Sequence, residues 1–119
     1  MHQLYFFKSF HHATRGLLIG IKNERNVRWH GLAVVLVTIL SLLLQISLTD
    51  YVIFLLLFGL VISAELLNSA IEKICDILRD RYHLPYEGSR DIRDIAAGAV
   101  WINALIAAII GIIIFTKYL

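Results

Sequence analysis

Three long apolar segments constrain this chain more than any other feature. They run from Gly31 to Leu48, from Tyr51 to Leu67 and from Ile95 to Thr116. Each approaches or exceeds the roughly 18–20 residues that a helix needs to cross the hydrocarbon core of a bilayer. The sequence therefore predicts an all-α membrane protein with three transmembrane helices.

Composition supports this class and excludes several others. Hydrophobic residues make up 59% of the 119-residue chain and charged residues only 17%, which is unusual for a water-soluble globule. The single cysteine and single proline argue against a disulfide scaffold and against a disordered chain. The net charge of +2, without a basic block, predicts no nucleic-acid partner.

The segments also predict how the chain is organised as a single domain over residues 1–119. Only Thr49 and Asp50 separate the first two spans, so the sequence predicts a tight helical hairpin. The helical pattern of the second span continues beyond its apolar part, which predicts a helix over 51–78. The predicted membrane helices are therefore 31–48, 51–78 and 95–116.

Two further segments lie outside the spans. Residues 3–22 mix large apolar with basic side chains, a composition typical of an amphipathic helix lying in the membrane interface. Residues 79–92 contain the only proline and Gly88, so the sequence predicts a cytoplasmic loop there.

The positions of the basic residues predict the orientation. All of the eleven Lys and Arg residues except Lys117 lie before the first span or between the second and third. By the positive-inside rule, the N-terminus and the 73–94 segment face the cytoplasm, whereas the C-terminus faces outward.

One stripe of polar side chains marks the end of the second span. The stripe comprises Glu65, Asn68, Ser69, Glu72 and Asp76, which fall within an arc of about 100° on a helix. A carboxylate in hydrocarbon costs roughly 2.5–3.5 kcal/mol on insertion scales, so the stripe must meet water, a cation or a partner. A solvated helix end is an equally good explanation for Asp76, but a functional role is the better one for Glu65.

Two other acidic positions are candidates. Arg93-Asp94 precedes the third span, where an acid could simply cap the helix, and Glu24 lies in a basic stretch, where it could form a plain ion pair. The histidines show no metal-ligand spacing, and no phosphate-binding glycine motif occurs. Phosphate chemistry would therefore need a carboxylate-held metal and basic side chains.

The residues alone leave three functions open. The stripe suits a kinase, but it would equally suit a small multimeric proton-coupled transporter that uses Glu65, and a structural or regulatory subunit is the third possibility. The acids gather toward the predicted cytoplasmic side rather than the bilayer midplane, which favours an enzyme that uses ATP.

Two motifs resemble those of a known family. Glu65-Leu-Leu-Asn68-Ser69-Ala70-Ile71-Glu72 resembles the E-x-x-N-[ST]-A-[IL]-E signature of the prokaryotic diacylglycerol kinase and undecaprenol kinase family, and Asp94-Ile-Ala-Ala-Gly98-Ala99-Val100 resembles that family's second motif. The likeness extends in order and spacing from about Phe7 to Thr116.

The resemblance implies a homotrimeric helical bundle in the cytoplasmic (inner) membrane of a bacterium, a lipid kinase that uses ATP and Mg²⁺. Its implied site comprises Glu65 as general base, Glu24 and Glu72 as metal ligands, and Asn68, Arg93, Asp94, Asp76 and Arg15 as residues that bind substrate or nucleotide. The family usually has Lys where this chain has Arg93, which keeps the charge but changes the geometry.

The lipid substrate is the least constrained expectation. Asn26, Arg28 and His30, together with the sequence Ala-Ala-Gly-Ala-Val at 96–100, resemble the undecaprenol kinase branch more than the diacylglycerol branch. The sequence therefore favours undecaprenol over diacylglycerol as the lipid alcohol.

Overall fold

The computed structural model describes residues 2–119, and within that range the chain forms four α-helices. They are α1 (His2–Asn23), α2 (Arg25–Leu43), α3 (Leu48–Tyr82) and α4 (Tyr86–Thr116). In the described part of the chain, α2, α3 and α4 are long and apolar enough to cross a membrane. The all-helical class and the three candidate spans are thus confirmed.

The helix predicted over 3–22 is present as α1, and a short break separates it from α2. Glu24 takes an extended backbone conformation between the two helices. The Arg28 guanidinium donates hydrogen bonds to the carbonyl oxygens of Ile21 and Lys22 at 3.1 and 2.8 Å, which satisfies acceptors that the end of α1 leaves open. The location of α1 in the membrane interface stays a prediction.

The hairpin between the first two spans is present, but its turn lies earlier than Thr49-Asp50. Helix α2 ends at Leu43 rather than continuing to Leu48, and Gln45 adopts a left-handed conformation with φ of 52°. The Ser47 side chain then caps α3 by accepting a hydrogen bond from the amide of Asp50 at 3.2 Å. A capped first turn therefore holds Asp50 inside α3.

The loop predicted over 79–92 is wrong, because only residues 83–85 are non-helical. His83 takes a left-handed conformation at the end of α3, and its amide donates to the carbonyl oxygen of Leu78. Pro85 then stands immediately before α4, where its fixed φ and missing N–H suit a helix start. The proline therefore begins a helix, and Gly88 is accommodated within it.

The lengths of α3 and α4 place polar residues beyond the apolar layer. At 1.5 Å per residue, the 35 residues of α3 span about 52 Å, whereas a hydrocarbon core is about 30 Å thick. Helix α4 packs antiparallel against α3, so the C-terminal end of α3 and the N-terminal end of α4 extend together on one side. The polar stripe begins at Glu65, 17 residues or about 26 Å along α3 from Leu48.

The opposite end of the bundle is held by an apolar cluster and an ion pair. Phe54, Leu57 and Ile114 form the buried cluster. Nearby, the Asp50 carboxylate accepts hydrogen bonds from Lys117 Nζ at 2.9 Å and from the Tyr118 hydroxyl at 2.5 Å. The hydrogen bond to Asp50 raises the pKa of Lys117 above its ordinary 10.5. These contacts fasten the C-terminus to the start of α3, far from the polar stripe.

Candidate active site

Glu65 lies in the middle of the candidate site, and its side chain is only 4% exposed. Helix α3 presents it toward α2, where His30 occupies the second turn. The His30 Nε2 atom lies 3.5 Å from Glu65 Oε2. Among residues 2–119, His30 holds the only basic group within 4 Å of this carboxylate.

An apolar cavity of about 630 Å³ adjoins this pair of residues. It lies between α2, α3 and α4, and His30 forms part of its wall at the end toward Glu65. Apart from Thr116 at the opposite end, the other lining residues are apolar, among them Val34, Phe58 and Val61. Glu65 does not line this space but lies one helical turn beyond Val61, which does, and the space itself suits a hydrocarbon chain.

One helical turn beyond Glu65, two further residues of the stripe are joined. The Asn68 Nδ2 atom donates a hydrogen bond to Glu72 Oε1 at 3.2 Å. Within the described range, the buried Asn68 Oδ1 and Ser69 Oγ atoms have no hydrogen-bond partner. A buried oxygen without a partner is costly, so these two atoms are unsatisfied polar groups in the interior of the helix bundle.

The stripe contains oxygen atoms that could coordinate a metal ion, but it does not supply a full set of protein ligands. In the part of the chain that the structure describes, no group of three or more His, Cys, Asp or Glu side chains could hold a metal ion together. Mg²⁺ is commonly bound by one or two carboxylates, with substrate phosphates and water supplying the remaining ligands. The Glu72 carboxylate and the free Asn68 carbonyl oxygen fit that pattern.

Arg93 makes one contact with α3 and two contacts within α4. Its Nη2 atom donates to Asp76 Oδ1 at 2.9 Å, and its Nε atom donates to Ser89 Oγ at 3.3 Å. The guanidinium carbon lies 5.4 Å from the centre of the Tyr86 ring, within cation–π range. The Arg93 side chain is accordingly only 14% exposed.

Three sequence-predicted site residues stand apart from these contacts. Asp94 and Arg15 are exposed, and Glu24 is half-buried at the break between α1 and α2. Within residues 2–119 none of their side chains forms a hydrogen bond or an ion pair with another residue. The structure therefore brings together Glu65 with His30, Asn68 with Glu72, and Asp76 with Arg93. The roles assigned to all of these residues stay predictions.

Sequence reasoning did not assign His30, Ser89 or Tyr86 to the site. Ser89 and Arg93 are four residues apart, which makes them neighbours on one helix face. This contact could have been predicted from the sequence if residues 79–92 had not been predicted as a loop. The contact of His30 with Glu65 joins two helices, so no local spacing could have indicated it.

Comparisons with known proteins agree with the two motifs. The sequence profile of the prokaryotic diacylglycerol kinase family matches residues 11–115. An undecaprenol kinase of Bacillus subtilis is 43% identical over 110 residues, which cover 92% of this chain and 87% of that protein.

Two diacylglycerol kinases are more distant relatives. The Escherichia coli K12 protein is 31% identical over 102 residues, covering 86% of this chain and 81% of its own length. The Synechocystis protein is 34% identical over 104 residues, covering 87% of this chain but 58% of its own length. With a profile match across most of its length and these relatives, the chain belongs to the prokaryotic diacylglycerol kinase family, whose members are kinases acting on lipid alcohols.

Proposed function

We propose that this protein is an integral membrane kinase that transfers the γ-phosphoryl group of ATP to the hydroxyl group of a membrane lipid. The observation that supports this most directly is the position of Glu65, a buried carboxylate that contacts His30 in the wall of an apolar cavity. A lipid alcohol combines the two groups that this arrangement suits, a hydrocarbon chain and a hydroxyl proton.

In the proposed reaction, Glu65 accepts the proton of the lipid hydroxyl as its oxygen attacks the γ-phosphorus. A general base of this kind contributes roughly 10²–10⁴-fold to a rate. The low exposure of Glu65 keeps bulk water from competing with the lipid hydroxyl for the carboxylate.

The residues one turn further along α3 would hold Mg²⁺ and the nucleotide. When bound, Mg²⁺ neutralises charge on the transferred phosphoryl group. Glu72 and Glu24 are the proposed metal ligands, and the unpartnered oxygen of Asn68 supports the site. Arg93, Asp94, Asp76 and Arg15 are the proposed phosphate- or substrate-binding residues. Of these, Arg93 is already fixed in place by Asp76.

The proposed lipid is undecaprenol. The 43% identity to the Bacillus subtilis undecaprenol kinase, against 31% for the Escherichia coli diacylglycerol kinase, supports this choice. So does the chain's own sequence at Asn26, Arg28 and His30. Diacylglycerol is the competing acceptor, and the two must be compared in one assay.

The proposed assembly is a homotrimer with its active site at the cytoplasmic face of the bacterial inner membrane. The polar stripe of α3 supports an oligomer, because half-buried Glu72 needs a partner surface to shield its carboxylate from lipid. The distribution of basic residues supports a cytoplasmic N-terminus and an outward C-terminus.

The test is phosphoryl transfer from radiolabelled ATP to a bacterial lipid extract in detergent micelles, with the product identified by mass spectrometry. The proposal expects a phosphorylated polyprenol, with slower or no labelling of diacylglycerol added at the same mole fraction. Preferential labelling of diacylglycerol would overturn the lipid assignment. No labelled lipid at all, from a folded preparation, would overturn the kinase proposal.

A further inference from the structure

The contact between His30 and Glu65 involves the proposed general base, and none of the assigned roles uses it. His30 lies on α2 and Glu65 on α3, so the contact spans the helix interface beside the cavity. Among the described residues, the Glu65 side chain makes no hydrogen bond and no ion pair except this one. Among the described residues, His30 therefore offers the one polar group that could orient the carboxylate.

The distance indicates a contact that substrate can tighten. The separation of 3.5 Å between Nε2 and Oε2 exceeds the roughly 2.7–3.2 Å of an ordinary N–H···O hydrogen bond. Catalytic hydrogen bonds are often long when substrate is absent and shorten when it binds. An N–H group at Nε2 would then donate to Oε2.

The two oxygens of the Glu65 carboxylate have different surroundings. Oε2 faces His30, whereas Oε1 has no partner among residues 2–119. An orienting donor on one oxygen leaves the other available as the proton acceptor, which is how a third group commonly orients a general base.

We propose that His30 is a positioning residue that holds the Glu65 carboxylate by one oxygen and directs the other toward the lipid hydroxyl. This inference rests on the proposed role of Glu65 as general base. His30 itself does not contact the reacting atoms. It acts by fixing a buried carboxylate that would otherwise rotate between the cavity and the helix interface.

The first test replaces His30 with Leu, which fills a similar volume but has no donor. The expected result is a kcat lower by about 10- to 100-fold, the usual cost of misplacing a catalytic group by about 1 Å, with the KM for ATP unchanged. The matched control is His2→Leu, the same substitution at an exposed position near the start of α1, which should leave kcat unchanged. An unchanged kcat in folded His30→Leu would overturn the inference.

A second pair of variants keeps the test decisive if His30→Leu fails to fold. His30→Gln carries an N–H donor at about the reach of Nε2, whereas the shorter amide of His30→Asn does not reach Glu65. His30→Gln should retain most of the kcat and His30→Asn should lose it, each measured per folded protein by gel filtration and circular dichroism. Equal activity of the two amides would contradict a positioning role.

A double-mutant cycle separates this inference from the proposal on which it rests. In a Glu65→Gln background the carboxylate is absent, so His30→Leu should lower the residual rate no further. If the two losses multiply, His30 acts independently of Glu65 and the inference is wrong. If Glu65→Gln alone retains normal turnover, the base assignment is wrong instead, and the positioning role is lost with it.

Discussion

Arg93 stands where the motif resemblance leads us to expect Lys, and its replacement tests how this chain uses the guanidinium. Lys at this position would keep the charge near Asp76, but it would lose the Nε hydrogen bond to Ser89. It would also lose the planar group that lies over the Tyr86 ring. Leu would remove all three contacts, so the two substitutions separate the charge from the fork geometry.

The expected loss of stability follows from these contacts. Asp76 is 46% exposed, so its pairing with Arg93 is worth roughly 0.2–1 kcal/mol. The Ser89 hydrogen bond adds about 0.5–1.5 kcal/mol and the cation–π contact about 0.5–1 kcal/mol. Arg93→Leu should therefore lower the free energy of unfolding by about 1–3.5 kcal/mol. Arg93→Lys keeps the ion pair and should lower it by about 1–2.5 kcal/mol.

The assay measures unfolding in mixed micelles by titration with a denaturing detergent, followed by circular dichroism, together with kinase activity under native conditions. Arg93→Lys should remain active because the positive charge is kept, and Arg93→Leu should lose activity even where most molecules are folded. Ser89→Ala is the matched control for the hydrogen bond alone. A folded but inactive Arg93→Lys protein would refute this reasoning, because activity would then require the planar guanidinium group and not only its positive charge.

Three other experiments test separate parts of the structure. Glu72→Ala and Glu24→Ala should each raise the Mg²⁺ concentration needed for half-maximal rate, since each removes an oxygen ligand; an unchanged metal dependence with a lowered rate would indicate ion pairing instead. Asp50→Asn should lower the resistance of the protein to heat while leaving the kcat of the folded fraction unchanged, because its contacts with Lys117 and Tyr118 lie at the far end of the bundle; a large loss of kcat without a loss of stability would contradict this. Co-assembly of Glu65→Gln with Asp94→Asn should restore partial activity if protomers share a site, and no recovery in crosslinked mixed oligomers would place both residues in one protomer's site.

Much of the fold could be predicted because lipid leaves an apolar segment few alternatives. A backbone in hydrocarbon must satisfy its own hydrogen bonds, so the spans ending near Leu43 and Thr116 had to be helices. The error over 79–92 arose because proline and glycine commonly mark loops. Here Pro85 starts α4, and Arg93 stabilises the first turns of α4 through Ser89 and Tyr86 in the same helix and through Asp76 of α3.

The site could be predicted only where its residues share one helix. Glu65, Asn68 and Glu72 were found because their spacing places them on one face, and the structure buries the first two of them together. The turn at Gln45 has no marker in the sequence, because a left-handed glutamine is uncommon. The contact of His30 with Glu65 depends on how α2 packs against α3, which the sequence of neither helix specifies.

The most direct test of the central claim is the initial rate of lipid phosphorylation by Glu65→Gln and wild-type protein, measured with undecaprenol in the same micelles. The amide preserves the shape of the side chain but cannot accept the hydroxyl proton. We expect the rate to fall by about 10²–10⁴-fold, while gel filtration and circular dichroism show an unchanged assembly. A folded Glu65→Gln protein that phosphorylates undecaprenol at a near-normal rate would contradict the proposed mechanism.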